Sequence, residues 1–187
     1  MCGRFALFNV SELSFEEIKK IIPNYNISPG SKVFILKKDL KIYQVNWSMK
    51  ASWSDDISIF NARSETLDKK KSFRHTERCI FIANGYFEWK RENSIKIPYY
   101  HSFQKKMMFF AGVYNNNGAC IVTRPSYKKI STIHNRQPVI LRDFEFTQWF
   151  EKKHNYSCEF SEKMIIYKVT KNVNSAAHNA EENIYRV

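Results

Sequence analysis

The sequence predicts an α+β fold, a mainly antiparallel, barrel-like β-sheet with short flanking helices, and three observations lead there. Brief β-rich runs recur from Val33 to Val169. Turn residues such as Lys38-Asp39 and Asn115-Asn116-Asn117-Gly118 separate them, as between antiparallel strands. The helical patches among these runs follow no regular βαβ alternation, which argues against a parallel sheet. In 187 residues, an apolar content of 43% with 16% aromatic is enough for one substantial core. No repeat, low-complexity tract or Pro/Gly/Ser linker divides the chain, so residues 1–187 read as a single domain.

In chain order, the first element is a short amphipathic helix. Ser14-Phe15-Glu16-Glu17 has capping-box form, Phe15, Ile18, Ile21 and Ile22 share one face, and Pro23 stops the pattern. Strands are expected at 33–36, 41–47, 79–83, 86–89, 98–103, 107–114, 119–123 and 164–169, where β-branched and aromatic residues concentrate. Helical patches are expected at 62–68, 126–133 and 143–153, the last burying Phe144, Phe146, Trp149 and Phe150.

A formal charge of +12 and a pI near 9.5 favour a polyanionic partner, nucleic acid being the commonest case. A solvated lysine surface (Lys69 to Lys71, Lys105-Lys106, Lys128-Lys129, Lys152-Lys153) accounts for the same charge. The four cysteines, Cys2, Cys79, Cys120 and Cys158, are too few and scattered for a disulfide scaffold, and no CxxC or CxxH pair suggests zinc. A reducing compartment fits best, cytoplasmic or, in a eukaryote, nuclear. Neither a signal peptide nor an apolar run of membrane-spanning length occurs, so Cys2 is expected to stay near the mature N-terminus. Removal of Met1, by an aminopeptidase or by the protein itself, makes it the first residue.

A first-position cysteine is a 1,2-aminothiol, with an amine pKa of about 7.7 to 8.0 and a thiol pKa near about 8.5. Its amine forms an imine with an aldehyde, and the thiol then closes on the imine carbon to give a five-membered thiazolidine. An internal cysteine cannot do this, because its nitrogen is an amide. The plain alternative is a buried, idle cysteine.

The neighbouring motifs bear on that choice. They run in order as Met1-Cys2-Gly3-Arg4-Phe5, Tyr25-Asn26-Ile27-Ser28-Pro29, a segment around Trp47, Phe60-Asn61-Ala62-Arg63-Ser64-Glu65-Thr66, Arg78-Cys79, Asn84-Gly85-Tyr86-Phe87-Glu88-Trp89, Pro98-Tyr99, Phe110-Ala111-Gly112-Val113, Ile121-Val122-Thr123 and Ile133-His134-Asn135-Arg136-Gln137-Pro138-Val139-Ile140-Leu141. In this order and at these separations the chain resembles the SRAP family (SOS response-associated peptidase, the abasic-site processing proteins) along almost its whole length.

The resemblance implies a protein that shields abasic sites in single-stranded DNA by covalent thiazolidine formation through Cys2, reversible through the same acid and base groups. Glu88 matches the family's catalytic glutamate, and its flanking aromatics Tyr86, Phe87 and Trp89 suit a carboxyl whose pKa is raised by desolvation. It would protonate the ring oxygen of the closed sugar to expose the aldehyde. His134 matches the active-site histidine and carries protons as the carbinolamine dehydrates; His75, His101, His154 and His178 read as surface or structural. Asn61 matches an asparagine that orients the Cys2 amine, with an N-cap as its generic role.

Arg4, Arg63 and Arg136 adjoin these residues in sequence and suit phosphate oxygens. Trp47 and Trp53 are candidates for stacking on a base, with core packing as the alternative for either. Thr123 and Pro29 join the DNA-binding set by the same resemblance. No cofactor, metal or membrane is implied, and a monomer is expected. The alternatives are a cysteine peptidase acting mainly on its own N-terminus, as the family name suggests, and a single-strand binding module without chemistry.

The chain departs from the family at Asn84, where aspartate is usual and a charge near the acid is lost. It departs again at Gln137, where methionine is usual, and at Asn135, where aspartate or a similar residue is.

Overall fold

A computed structural model of the chain describes residues 2–11, 21–51, 54–104, 106–157 and 159–187. Most of the helix expected from Ser14 lies outside the described residues, as do Trp53 and Cys158. Fifteen strands occur among the described residues. They are β1 Phe5–Leu7, β2 Asn24–Ile27, β3 Lys32–Leu36, β4 Ile42–Asn46, β5 Met49–Ala51, β6 Ser54–Ile59, β7 Asn61–Arg63, β8 Glu77–Ala83, β9 Gly85–Glu92, β10 Ile95–Ser102, β11 Met108–Asn115, β12 Gly118–Pro125, β13 Arg136–Pro138, β14 Ile140–Leu141 and β15 Ile165–Lys168.

Two sheets carry the fold. One runs β15-β10-β9-β1-β2; the other runs β13-β12-β11-β8-β3-β4, with β14 paired to β11 and β7 to β12, and β5 and β6 form a small ribbon. Pairing is antiparallel except between β7 and β12. The sheets share a core without closing into a barrel. Each expected strand is present, often longer than its apolar run, because hairpin pairing carries the ladder into polar residues. The β9–β10 turn shows how. Glu92 pairs with Ile95, and the loop residues Asn93 and Ser94 both take positive φ, the two-residue geometry that matches strand twist.

Central strands of the larger sheet are buried on both faces, and their side chains alternate between two cores. Cys79, Phe81, Phe110, Ala119 and Ile121 face the smaller sheet and meet Phe5, Leu7, Ile27 and Tyr86. Ile80, Ala111, Val113, Cys120 and Val122 face the other way, against Leu67, Phe73 and Trp149.

The helical patches are shorter than the sequence suggests. Residues 61–63 pair with β12 instead, leaving only a 3-10 turn at Ser64–Thr66. A second 3-10 turn covers Lys128–Thr132. Residues 143–150 form a 3-10 turn followed by α1, Phe146–Phe150. Trp149 is buried there and donates its indole N–H to the Cys79 carbonyl at 2.8 Å. Phe144 is exposed rather than buried, because it precedes the packed face; the Arg142 guanidinium covers its ring at 4.3 Å. No described helix is long and apolar enough to cross a membrane.

Strand β1 brings Cys2 to the rest of the site. It is too short to stand out in the sequence and is held between β2 and β9, with Phe5 opposite both Ile27 and Tyr86, and Ala6 opposite Gly85. Gly85, opposite Ala6, also lets β10 close on β9: a Cβ there would lie 2.4 Å from the Tyr100 ring and 2.7 Å from the His101 carbonyl oxygen. Gly85→Ala is expected to destabilise the protein by about 1–3 kcal/mol through overpacking, read as a lower urea midpoint. An unchanged midpoint would show that β9 and β10 yield without cost.

Candidate active site

Four chain segments converge on Cys2. The residue itself is fully buried, and its Sγ lies 4.0 Å from the Arg4 carbonyl oxygen. Burial raises its thiol pKa far above the ordinary range, and the Glu88 charge adds to the effect. Asn61, the first residue of β7, donates from Nδ2 to the Cys2 carbonyl at 2.7 Å. Its Oδ1 is buried and has no hydrogen-bond partner among the described residues. The capping role is not its own, since the following 3-10 turn is capped by Arg63 without a side-chain bond.

Glu88 lies mid-strand in β9, opposite Tyr99, and is only 2% exposed. The strand period of two puts Tyr86 on its face and turns Phe87 and Trp89 to a separate cluster, so only one of the three flanking aromatics shares its side. Burial pushes the Glu88 carboxyl up to about 7, opposed by the chain's positive amino terminus and the Trp89 backbone N–H. His134 sits in the turn before β13, with Nδ1 3.7 Å from Glu88 Oε1. Burial, and then the same amino terminus, lower its pKa below 6.5. Both shifts favour neutral forms. Near neutrality the pair is therefore better described as a half-protonated carboxyl beside a neutral imidazole than as an ion pair.

The three arginines differ. Arg4 is turned inward, donating to Asn26 Oδ1 at 2.7 Å and to the Val173 carbonyl at 2.9 Å. Arg136 is buried and forks onto Glu65, with further bonds to the Thr123 carbonyl at 2.7 Å and Oγ1 at 3.2 Å. Thr123 is itself fully buried. Arg63 is exposed and lines an open cleft of about 850 Å³ together with Asn61, Lys70, Lys71 and Phe73. Pro29 is half-buried beside a neighbouring cleft lined by Lys50, Ser58 and Phe60.

Trp47 corrects the stacking expectation. It has no exposed surface, its ring lies 5.0 Å from that of Phe5, and its indole N–H bonds the Phe60 carbonyl at 2.9 Å. A ring enclosed in this way offers no face to a base, so the core-packing alternative holds.

Asn84 has a backbone role of its own. Its Oδ1 accepts from the backbone N–H groups of Phe8 and Asn9 at 2.7 and 2.9 Å, and its Nδ2 donates to the Asn9 carbonyl at 2.8 Å. The side chain is thus a clasp on the segment leaving β1, and it is not among the groups that shift Glu88. Gln137 is fully buried, accepting from Tyr127 N and donating to Ser161 Oγ, so an amide there pins two loops. Of the remaining histidines, His101 is fully buried, stacked on Tyr86 at 4.5 Å, and held down to about 3 by burial.

Sequence reasoning passed over Glu65, Lys70 and Lys71. Glu65 carries no signal of its own within Phe60–Thr66, and Lys70 and Lys71 none within a charged run.

Because burial raises the Glu88 pKa above its ordinary 4.5, the folded state binds this proton more tightly than the unfolded chain does. The associated stability is complete below about 4.5 and is lost as pH rises through about 7. Glu88→Gln does not titrate. Its stability relative to the parent chain should therefore rise between pH 5 and pH 8 by on the order of 3 kcal/mol, measured by urea unfolding at each pH. A constant difference would mean that the carboxyl titrates near its ordinary value.

Residues 1–176 match the SOS response associated peptidase (SRAP) family. The chain is 30% identical to the abasic site processing protein YoqW of Bacillus subtilis (strain 168), covering 97% of this chain and 98% of that one. It is also 30% identical to the abasic site processing protein YedK of Escherichia coli (strain K12), covering 82% and 81%. Among solved structures, a phage-related protein from Bordetella bronchiseptica superposes with a TM-score of 0.77 at 22% identity, over 96% of this chain and all of that one (100%). A protein from Bacteroides thetaiotaomicron gives 0.73 at 22% identity, over 97% and 91%. With its motifs in order and its fold shared, the chain belongs to the SRAP family.

Proposed function

We propose that this protein processes abasic sites in single-stranded DNA, capturing the lesion covalently through Cys2 once Met1 is removed. The observation that carries the proposal is the buried Glu88 carboxyl, poised near neutrality beside His134 and raising the Cys2 thiol pKa through its charge. The relatives named abasic site processing proteins support the substrate class.

The chemistry follows from the groups present. Protonated Glu88 gives its proton to the ring oxygen of the closed sugar as the C1′ hydroxyl loses one, and the aldehyde opens. The freed Cys2 amine adds to the carbonyl carbon, and loss of water from the carbinolamine leaves an imine. The sulfur then adds to that carbon while the thiol proton passes to the nitrogen, with Glu88 and His134 as carriers. The balance is aldehyde plus aminothiol giving thiazolidine plus water. Release runs through the same steps in reverse. Asn61 already grips the Cys2 carbonyl, and its open Oδ1 suits an N–H of the new amine.

Phosphate contact falls to Arg63 with Lys70 and Lys71, the cations that line the cleft beside Asn61. Self-processing is the one peptidase reading that the site favours. A fully buried thiol with a raised pKa suits the adjacent Met1–Cys2 bond better than a peptide arriving from solution.

The test uses protein whose free Cys2 is verified by mass, incubated with single-stranded DNA bearing one abasic site. A heat- and denaturant-resistant adduct is expected, at the summed mass less one water. Cys2→Ala and Cys2→Ser should form no stable adduct, and Glu88→Gln should slow capture by about 100-fold or more. Absence of adduct with wild-type protein sinks the proposal.

Arg63→Ala should weaken DNA binding regardless of sequence and lower the slope of log affinity against log salt by about 0.7 to 1. An unchanged slope would assign the phosphate elsewhere.

A further inference from the structure

We infer that Glu65 is a positioning residue for His134, acting through Arg136. The inference rests on the proposed capture reaction for its kinetic consequence, but not for its structural one.

The link begins at an arginine with no exposed work to do. Both terminal nitrogens of Arg136 engage the Glu65 carboxylate, and Nη2 also reaches the Thr123 carbonyl and hydroxyl. Thr123 Oγ1 in turn donates to the Ala62 carbonyl at 3.3 Å. One guanidinium therefore ties together the Ser64–Thr66 turn that follows Asn61, strand β12, and the start of β13. Its planar fork suits two carboxylate oxygens at once. Removing the carboxylate would leave a mostly buried cation short of partners, which is far costlier than losing an exposed ion pair. Arg136 holds the Glu65 carboxyl down to about 2, so the clamp stays charged throughout the neutral range.

The other end of the link is the imidazole. His134 Nδ1 lies 3.1 Å from the backbone N of Arg136 and 3.1 Å from its carbonyl oxygen. When that nitrogen carries a lone pair it accepts the N–H; when it carries a proton it donates to the carbonyl. The ring keeps a partner in either state without moving, provided the Arg136 backbone stays in place. Glu65 fixes that backbone from 71 positions away in sequence. The titratable and charged groups that reach His134 are Glu88 and Arg91 on β9, His101 on β10, Arg136 in its own segment, and the amino terminus.

The experiment compares Glu65→Ala and Glu65→Gln with the parent protein in two assays. In the first, nitrogen-15 NMR of His134 in the free protein reports the tautomer and the titration midpoint, with no DNA present. The parent should show an Nδ1 shift characteristic of a hydrogen-bonded nitrogen in both the neutral and the protonated ring. Glu65→Ala should show Nδ1 losing its hydrogen-bonded shift and a midpoint moved further below 6.5, because the Arg136 carbonyl that favours the protonated ring is displaced and the Arg136 charge is no longer offset. Glu65→Gln, which keeps one acceptor oxygen, should lie between them and serves if the alanine variant does not fold. In the second assay, capture of the abasic site at neutral pH should slow by about tenfold in Glu65→Ala, with initial DNA affinity within twofold of the parent.

An unchanged His134 spectrum with an unchanged capture rate in a folded variant overturns the inference. So does tighter DNA binding with a steeper salt slope, which would make Glu65 a competitor for a phosphate site on Arg136. If the parent forms no adduct yet the spectrum shifts as described, the positioning role stands and only the capture reaction fails.

Discussion

The site depends on the burial of one carboxyl. Glu88 sits mid-strand where water has been excluded, and desolvation works against its charge more strongly than the nearby amino terminus favours it. Its neighbours then act in concert. The Cys2 thiol stays protonated partly because Glu88 is there, and His134 stays neutral because its partial burial and the positive amino terminus both disfavour a charged ring. A group poised in this way can give and take protons near neutral pH, and the cost is stability that the rest of the fold must provide. The two hydrophobic clusters on either side of the larger sheet provide it.

The geometry around that carboxyl is set by backbone pairing. Strand β9 lies between β10 and β1, so Glu88 and the segment carrying Cys2 belong to adjacent strands of one sheet. Asn61 and Arg136 belong to the other sheet, where β7 and β13 both pair with β12 and Thr123 lies opposite both Arg63 and Pro138. The reactive end is therefore a seam between two sheets. The clamp from Glu65 through Arg136 keeps one side of that seam in register.

Much of this was legible in the sequence, and the exceptions have physical reasons. The hairpin strands could be read because β-rich runs and turn residues are local signals. Strands β1, β2, β5, β7, β13 and β14 could not, because two to four residues carry too little period, and β6 could not because Ser54-Asp55-Asp56 opens it with residues that are poor in strands. Cys2, Asn61, Glu88 and His134 were named from their motifs, and the structure brings all four together. Which arginine faces outward was not readable. Arg4, Arg63 and Arg136 look alike beside their motifs, and only tertiary partners such as Asn26 and Glu65 turn two of them inward. Glu88 was correctly expected to be desolvated, but the aromatics adjacent in sequence mostly face away from it.

Trp47 has a further consequence. Its ring belongs to the core, yet its single N–H is spent on Phe60, the residue immediately before Asn61. The indole thus acts as a spacer whose width sets how far the reactive end stands from the hydrophobic interior. Interior packing and chemistry are coupled through this one side chain. A smaller residue at 47 would mimic the loss of a ligand contact while touching no ligand, and a screen scored on activity alone would draw the binding surface in the wrong place.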